Sequence, residues 1–252
     1  MPDGPRDLSA ALAKTYPRAA LYDPGWVREN ALGENALCQA EALAQRLPLR
    51  AGLTVLDLGC GKATSSIFLA REFGVTCWAV DADTSPTESL KRARDLDCDG
   101  RVFPLRADAH RLPFAKGFFD AVVAIDSYLY YGTDDRYLGY LTQFLKPGGH
   151  LAVADIAFTR EIESEDEAPA FLRPQFAKHW SYVHTIQWWR RHWEKAGVVE
   201  VDCAEALPES EALLRDYVRG RPPDQDADAI MRAVPRDHGG LLTLFRLIAR
   251  KR

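Results

Sequence analysis

Between residues 54 and 156 five short apolar runs alternate with longer amphipathic stretches, and that alternation leaves few architectures open. Neighbouring parallel strands need long crossovers, which helices supply, so the pattern predicts a parallel sheet with helices on both faces. The runs are Thr54–Leu58, Val75–Val80, Val102–Leu105, Phe119–Ile125 and Leu151–Ile156. Phe119–Ile125 is almost wholly apolar, as a strand buried on both faces should be. Ile67, Phe68, Leu69 and Phe73 mark one intervening helix. Ser85-Pro86-Thr87-Glu88 opens another with a capping box and a proline in the first turn. Thr133 caps a third running to Leu145, where Pro147-Gly148-Gly149 stops it. Ahead of the first strand, Leu37, Ala40, Leu43, Ala44 and Leu47 fall at helical spacing over residues 34–47.

The last hundred residues are less regular. Glu161–Glu167, with five acidic residues in seven, reads as a solvated loop, and residues 176–195 as aromatic helix. Val198–Cys203 and Leu241–Ala249 read as two further strands, and Arg219–Asp228, with Pro222-Pro223, as a loop between them. No repeat, low-complexity tract or linker divides the chain, so residues 1–252 are expected to form one domain.

Charge and cysteine usage narrow the function classes. Lysine plus arginine (32) against aspartate plus glutamate (36) gives a net charge of −4, which weighs against a dedicated nucleic-acid binder. Cys38, Cys60, Cys77, Cys98 and Cys203 form no C-x-x-C pair and read as reduced thiols of a cytoplasmic protein. No stretch approaches 18 apolar residues, so no membrane insertion is expected.

The first strand runs directly into Gly59-Cys60-Gly61 and then a helix. Glycines there let backbone pass close under a ligand, and the helix start offers free N–H groups. Two departures argue against a dinucleotide. Asp57 precedes the turn, where it would repel a pyrophosphate but suit an amino group and a positive charge. The third glycine of the dinucleotide fingerprint is replaced by Thr64 or Ser65. Asp81 then ends the second strand, 22 positions after Gly59, where a carboxylate can accept both ribose hydroxyls, and Asp108 follows the third strand.

These residues resemble the class I S-adenosylmethionine-dependent methyltransferases. The resemblance is carried in order by Asp57–Gly61, Asp81, Asp108 with Ala109-His110-Arg111-Leu112-Pro113-Phe114, Phe119-Asp120, and Leu145-Lys146-Pro147-Gly148-Gly149. It implies a Rossmann-like α/β fold, a seven-stranded, mostly parallel sheet with the last strand antiparallel. It also implies S-adenosylmethionine as cofactor, held by a core over residues 34–156. Gly59, Gly61 and Thr64 would lie under the methionine part, with Asp57 orienting it. Asp81 would bind the ribose, Asp108 and the Ala109 N–H the adenine, and Asp126 would lie near the sulfonium. Cys60 carries no catalytic role in this reading.

The methyl group arrives activated, so the main tasks are alignment and exclusion of water, and a base is needed only if the acceptor must lose a proton. Asp126 and His184 are the candidate catalytic residues, with His179 a further candidate base. His179, His184 and His192, spaced five and eight apart, do not converge on a metal, and none is expected. Tyr128, Tyr130 and Tyr131 follow the fourth strand and are acceptor-pocket candidates, whereas Trp189 and Trp193 read as a core-facing helical pair. The N-terminal segment to residue 33 is read as a lid placing Tyr22 and Trp26 over the site, with residues 157–252 supplying substrate-side helices. Trp188-Trp189-x-x-x-Trp193 with His184 upstream is similar to the bacterial cyclopropane-fatty-acyl-synthase-like group. However, Asp126-Ser127-Tyr128-Leu129-Tyr130-Tyr131-Gly132 lacks the second acid and the histidine of true cyclopropane synthases. The expected function is therefore methylation of a small-molecule acceptor. RNA or protein methylation, or cofactor binding for regulation alone, are the alternatives, and no Asn/Asp-Pro-Pro-aromatic motif after the fourth strand supports a nucleic-acid acceptor.

Overall fold

The computed structural model describes residues 10–33, 35–219 and 229–252. In chain order, α1 (Ala10–Thr15), α2 (Pro24–Asn30) and α3 (Ala36–Ala44) lead into β1 (Thr54–Leu58), followed by α4 (Thr64–Phe73) and β2 (Thr76–Asp81). Then come α5 (Pro86–Asp95), β3 (Val102–Arg106), β4 (Phe119–Ile125), α6 (Tyr137–Thr142) and β5 (Leu145–Phe158). The remainder adds α7 (Ile186–Ala196), β6 (Val199–Ala206), α8 (Ser210–Arg219), α9 (Ala229–Ala233) and β7 (Leu242–Lys251).

The strands form one seven-stranded sheet in the order β3-β2-β1-β4-β5-β7-β6. Only β7 runs antiparallel to its neighbours, as the family resemblance implies. From β1 the chain crosses to β2 on one side, and after β3 it returns to β4 on the other. That reversal opens a crevice at the carboxyl ends of β1 and β4, where open α/β sheets bind ligands. Val122, Val123, Leu151 and Val153 bury the sheet centre. Trp189 and Trp193, four apart on α7, pack into the same core, as their spacing predicts. All five cysteines are free thiols. No helix among the described residues is long and apolar enough to cross a membrane.

Three local expectations change. The helix expected from Thr133 to Leu145 shrinks to α6, because Leu145 pairs with Phe119 and turns the chain to strand early. Pro147-Gly148-Gly149 then lies inside β5 rather than ending a helix. Gly148 takes φ +71, and a Cβ on Gly149 would meet the Asp120 and Lys146 carbonyls at 3.0 Å. The aromatic stretch 176–195 breaks into a π-turn, Phe176–Trp180, and α7. The break is pinned where the Phe158 N–H donates to the His184 carbonyl and Thr185 caps α7 through Trp188 N. Finally, Glu161 leaves the acidic loop. Its carboxylate accepts from the Thr185 N–H and hydroxyl at 3.1 and 2.8 Å. Most of the loop expected at Arg219–Asp228 lies outside the described residues.

Candidate active site

A cavity of about 520 Å³ sits at the carboxyl ends of β1, β2, β4 and β5. Its first wall is the turn after β1. Gly59, Gly61 and Ala63 all take positive φ, +75, +53 and +63. The glycines are required by chain neighbours as well as by any ligand: a Cβ on Gly59 would lie 2.4 Å from Ser127 Cβ, and one on Gly61 3.1 Å from Leu32 Cδ1. Asp81 fastens this turn. Its Oδ2 accepts from Gly61 N at 2.9 Å, and its Oδ1 from Asp83 N and Thr84 N, both at 2.9 Å.

Asp57 lies beneath the turn, fully buried, and does not line the cavity. Its Oδ2 accepts from the Ser65 and Ser66 hydroxyls at 2.6 Å each, and burial pushes its carboxyl up to about 6 against those hydrogen bonds. Cys60 starts near a helix N-terminus, which ordinarily favours a thiolate, but burial drives its thiol well up instead. Thr64 lines the cavity and donates to the Asn30 carbonyl at 2.7 Å. Asp108 and Ala109 form the rim beyond β3. The His110 N–H and ring hold the Asp108 carboxyl below the usual carboxylate range, and the Ala109 carbonyl accepts from Tyr137 Oη at 3.1 Å.

Asp126 closes the centre. Its φ is +50, Gln39 Nε2 donates to its Oδ1 at 2.5 Å, and Gly33 passes so close that a Cβ there would fall 2.2 Å from Oδ2. Tyr131 lines the same wall, its hydroxyl bonded to Ser127 Oγ and the Leu58 carbonyl at 3.0 and 3.2 Å; burial raises its ionisation well above the usual phenol value. Tyr130 also lines the cavity and is 63% exposed at the mouth.

Besides Asp57, four expected site residues lie away from the cavity lining. Tyr128 is 1% exposed, packed edge-on against Trp189 and Trp193 at 5.6 and 5.5 Å, because the turn after β4 directs it into the core. His184 is held at the end of β5, with Nδ1 2.6 Å from Glu161 Oε1 and its ring stacked on Trp188 at 3.7 Å, so it does not line the cavity. Tyr22 and Trp26 turn to the outer face of α4. Tyr22 packs on Phe68 at 5.6 Å and donates to Glu72 at 3.1 Å. The N-terminal segment reaches the cavity through Leu32 and Gly33 instead, fastened by Lys62 to the Glu29 carbonyl and Arg92 to Asn30 Oδ1, each at 2.7 Å.

The far wall holds Asp155 and Ile156 from β5, Val183, and Ile230 from α9, which the sequence reading passed over, together with Trp180 from the aromatic stretch and His179, a candidate base. Asp155 carried one usable signal, a carboxylate inside an apolar strand. Together the strand ends present Asp81, Asp108, Asp126 and Asp155 around one cavity, with Asp57 beneath, a negative field that favours a cation.

Comparison with known proteins agrees with this geometry. A methyltransferase-domain family model matches residues 55–149. The chain is 31% identical over 198 residues to a 27-O-demethylrifamycin SV methyltransferase of Amycolatopsis mediterranei, covering 70% of this chain and 73% of that protein. It is 36% identical over 126 residues to the methyltransferase GfsG of Streptomyces halstedii, covering 50% and 45%. Thus the match spans less than half of GfsG's length. Among solved structures, the geranyl diphosphate C-methyltransferase of Streptomyces coelicolor superposes with a TM-score of 0.69 at 20% identity, over 99% of this chain and 91% of that one, a likeness of fold.

Proposed function

This chain belongs to the class I S-adenosylmethionine-dependent methyltransferases, and on that premise we propose that it methylates a small-molecule acceptor. The observation that carries the reading is the single cavity joining the glycine turn and strand-end carboxylates to a largely apolar far wall.

The residues fit the cofactor. Asp57 Oδ1 is buried with no hydrogen-bond partner among the described residues, so the carboxylate beneath the turn keeps an acceptor for a donor. S-adenosylmethionine supplies an electrophilic methyl group on a positively charged sulfur. Gly59, Gly61 and Thr64 would hold its methionine end, Asp81 the ribose, Asp108 and Ala109 the adenine, and Asp126 would face the sulfonium. Leu32, Tyr130 and Trp180 would screen the reacting end from water, and Tyr131, kept neutral by burial, would shape the wall without competing as a nucleophile. We take residues 1–252 to work as one methyltransferase domain. The free thiols support a reducing, cytoplasmic setting.

The name of the rifamycin-related relative gives a 27-O-demethyl compound as what it methylates, which favours oxygen as the methylated atom here. Incubating the protein with methyl-labelled S-adenosylmethionine and a panel of phenols, alcohols and amines, alongside RNA and protein, checks the proposal. Label in a small acceptor is expected. Label confined to RNA or protein, or none with cofactor bound, contradicts it.

A further inference from the structure

A second cleft, of about 330 Å³, lies where β5 finishes and β7 begins, at the same end of the sheet as the cavity. Two stretches of chain serve both. Ile156 of β5 lines the cavity and Thr159 the cleft; Ile230 of α9 lines the cavity and Arg236, in the turn that follows, the cleft. Ile156 and Thr159 are about 10 Å apart along extended backbone. The walls are pinned. The Thr159 N–H donates to the Leu241 carbonyl at 2.8 Å and its hydroxyl to the Gly240 carbonyl at 2.9 Å. Asp237 accepts from the Leu241 and Leu242 N–H groups at 2.9 and 2.7 Å, one on each carboxylate oxygen.

Charge sets this cleft apart. Asp237 is the one acid on its described lining, and both its oxygens are taken by backbone. Arg160 and Arg236 stand against it, with His238 also on the lining. Both arginines are exposed, and neither guanidinium has a hydrogen-bond or ion-pair partner among the described residues. Acids are not scarce nearby. Five of the seven residues after Arg160 are acidic, in a chain of net charge −4, yet none of the five lines the cleft. Glu161 is held by His184 and Thr185, and Glu167 by the Glu163 N–H. Arg173, from the same region, is by contrast tied to the Ala168 and Asp166 carbonyls at 2.8 and 3.2 Å. Two guanidinium groups against one committed carboxylate leave the cleft net positive, and their planar forks match the paired oxygens of an oxyanion.

We propose that this cleft binds an oxyanion, a phosphate, sulfate or carboxylate, through Arg160 and Arg236. The anion is either free or carried on an organic molecule whose body lies against Phe171. The proposal stands beside the methyltransferase reading and does not depend on it.

The test treats the S-adenosylhomocysteine-saturated protein with phenylglyoxal, which modifies accessible guanidinium groups, and locates the adducts by peptide mass spectrometry. Sodium phosphate should slow modification of Arg160 and Arg236 about fivefold relative to sodium chloride of equal ionic strength, which cancels screening. Arg136, exposed ahead of α6, should react equally in both salts. Calorimetry with phenyl phosphate should find binding weakened about tenfold in Arg160→Gln and in Arg236→Gln, the scale of one charge-assisted contact, with S-adenosylhomocysteine affinity unchanged. Phenyl phosphate binding well above inorganic phosphate marks an anion carried on an organic molecule; equal affinities mark free phosphate. Equal modification in phosphate and chloride, equal protection of Arg136, or unaltered phenyl phosphate affinity in either variant overturns the proposal. The modification experiment uses the wild type alone, so it decides the matter even if a variant fails to fold. Failure of S-adenosylhomocysteine to bind strikes instead at the methyltransferase reading and leaves the cleft to be tested in the free protein.

Discussion

The two halves of the cavity are built from different material. The half formed by β1, β2 and β3 is backbone and carboxylate, and each group in it is tied to a neighbour in the chain: Asp81 to Gly61, Asp108 to His110, Thr64 to Asn30. The half beyond β4 is mostly apolar and aromatic, assembled from Tyr130, Ile156, Trp180, Val183 and Ile230, which come from four separate segments. The first half is thus prepared for one polar ligand of fixed shape. The second can be recut, one side chain at a time, for different acceptors.

That division predicts where substitutions hurt. Tyr128 and Tyr130 sit two residues apart, yet one is core and the other rim. Tyr128→Ala should cost ~3–5 kcal/mol of stability, the scale of emptying a buried aromatic site, read as a lowered denaturation midpoint. A cost under ~1 kcal/mol would move Tyr128 back to the cavity wall.

Asp57 should show the next largest effect, as a pH dependence. With its folded-state carboxyl raised from 3.8 to about 6, the group is protonated in both folded and unfolded states in acid and costs nothing there. As pH rises from 3.8 to about 6 the unfolded state ionises while the folded state stays protonated, so up to about 3 kcal/mol of stability is lost, and the loss levels off above about 6 where both ionise. Asp57→Asn should remove that loss. Denaturation at about pH 4 and about pH 7.5 should find the variant gaining on the wild type only at the higher pH. A gap that does not widen with pH would show that Asp57 ionises normally.

Asp81→Ala should weaken S-adenosylhomocysteine binding by ~1.5–3 kcal/mol, since it removes a charged acceptor and releases Gly61 N, Asp83 N and Thr84 N together. Calorimetry measures it, and unchanged affinity in a folded variant would place the ribose elsewhere. Tyr130→Ala is the smallest effect, within ~0.5 kcal/mol in stability, as for an exposed side chain away from the core. Its cofactor affinity should also be unaltered, with any change confined to acceptor binding. A drop in cofactor affinity would blur the division between the halves.

The same division explains what could be read without the structure. The polar half is encoded locally. An apolar run, two glycines and an acid at the next strand's end lie within 28 residues, and their spacing alone carries the geometry. The seven-stranded sheet follows from the alternation and the family resemblance. The apolar half is not local. Nothing in Tyr128-Leu129-Tyr130-Tyr131 says which ring enters the core, because a single 3₁₀ turn decides it. His184 stood out by its chemistry, but Glu161, 23 residues away, captures it. Tyr22 and Trp26 matched the composition of a lid, while the residues that reach the cavity are the plainer Leu32 and Gly33.

The central claim is that the turn after β1, with Asp57 beneath it and Asp81 and Asp108 beside it, holds a cationic adenosyl ligand and not a dinucleotide. Calorimetric titration of the protein with S-adenosylmethionine, S-adenosylhomocysteine and NAD tests this directly. Saturable binding of the first two, with no heat from NAD, is the predicted result; tight NAD binding with no response to either adenosyl ligand would contradict the account.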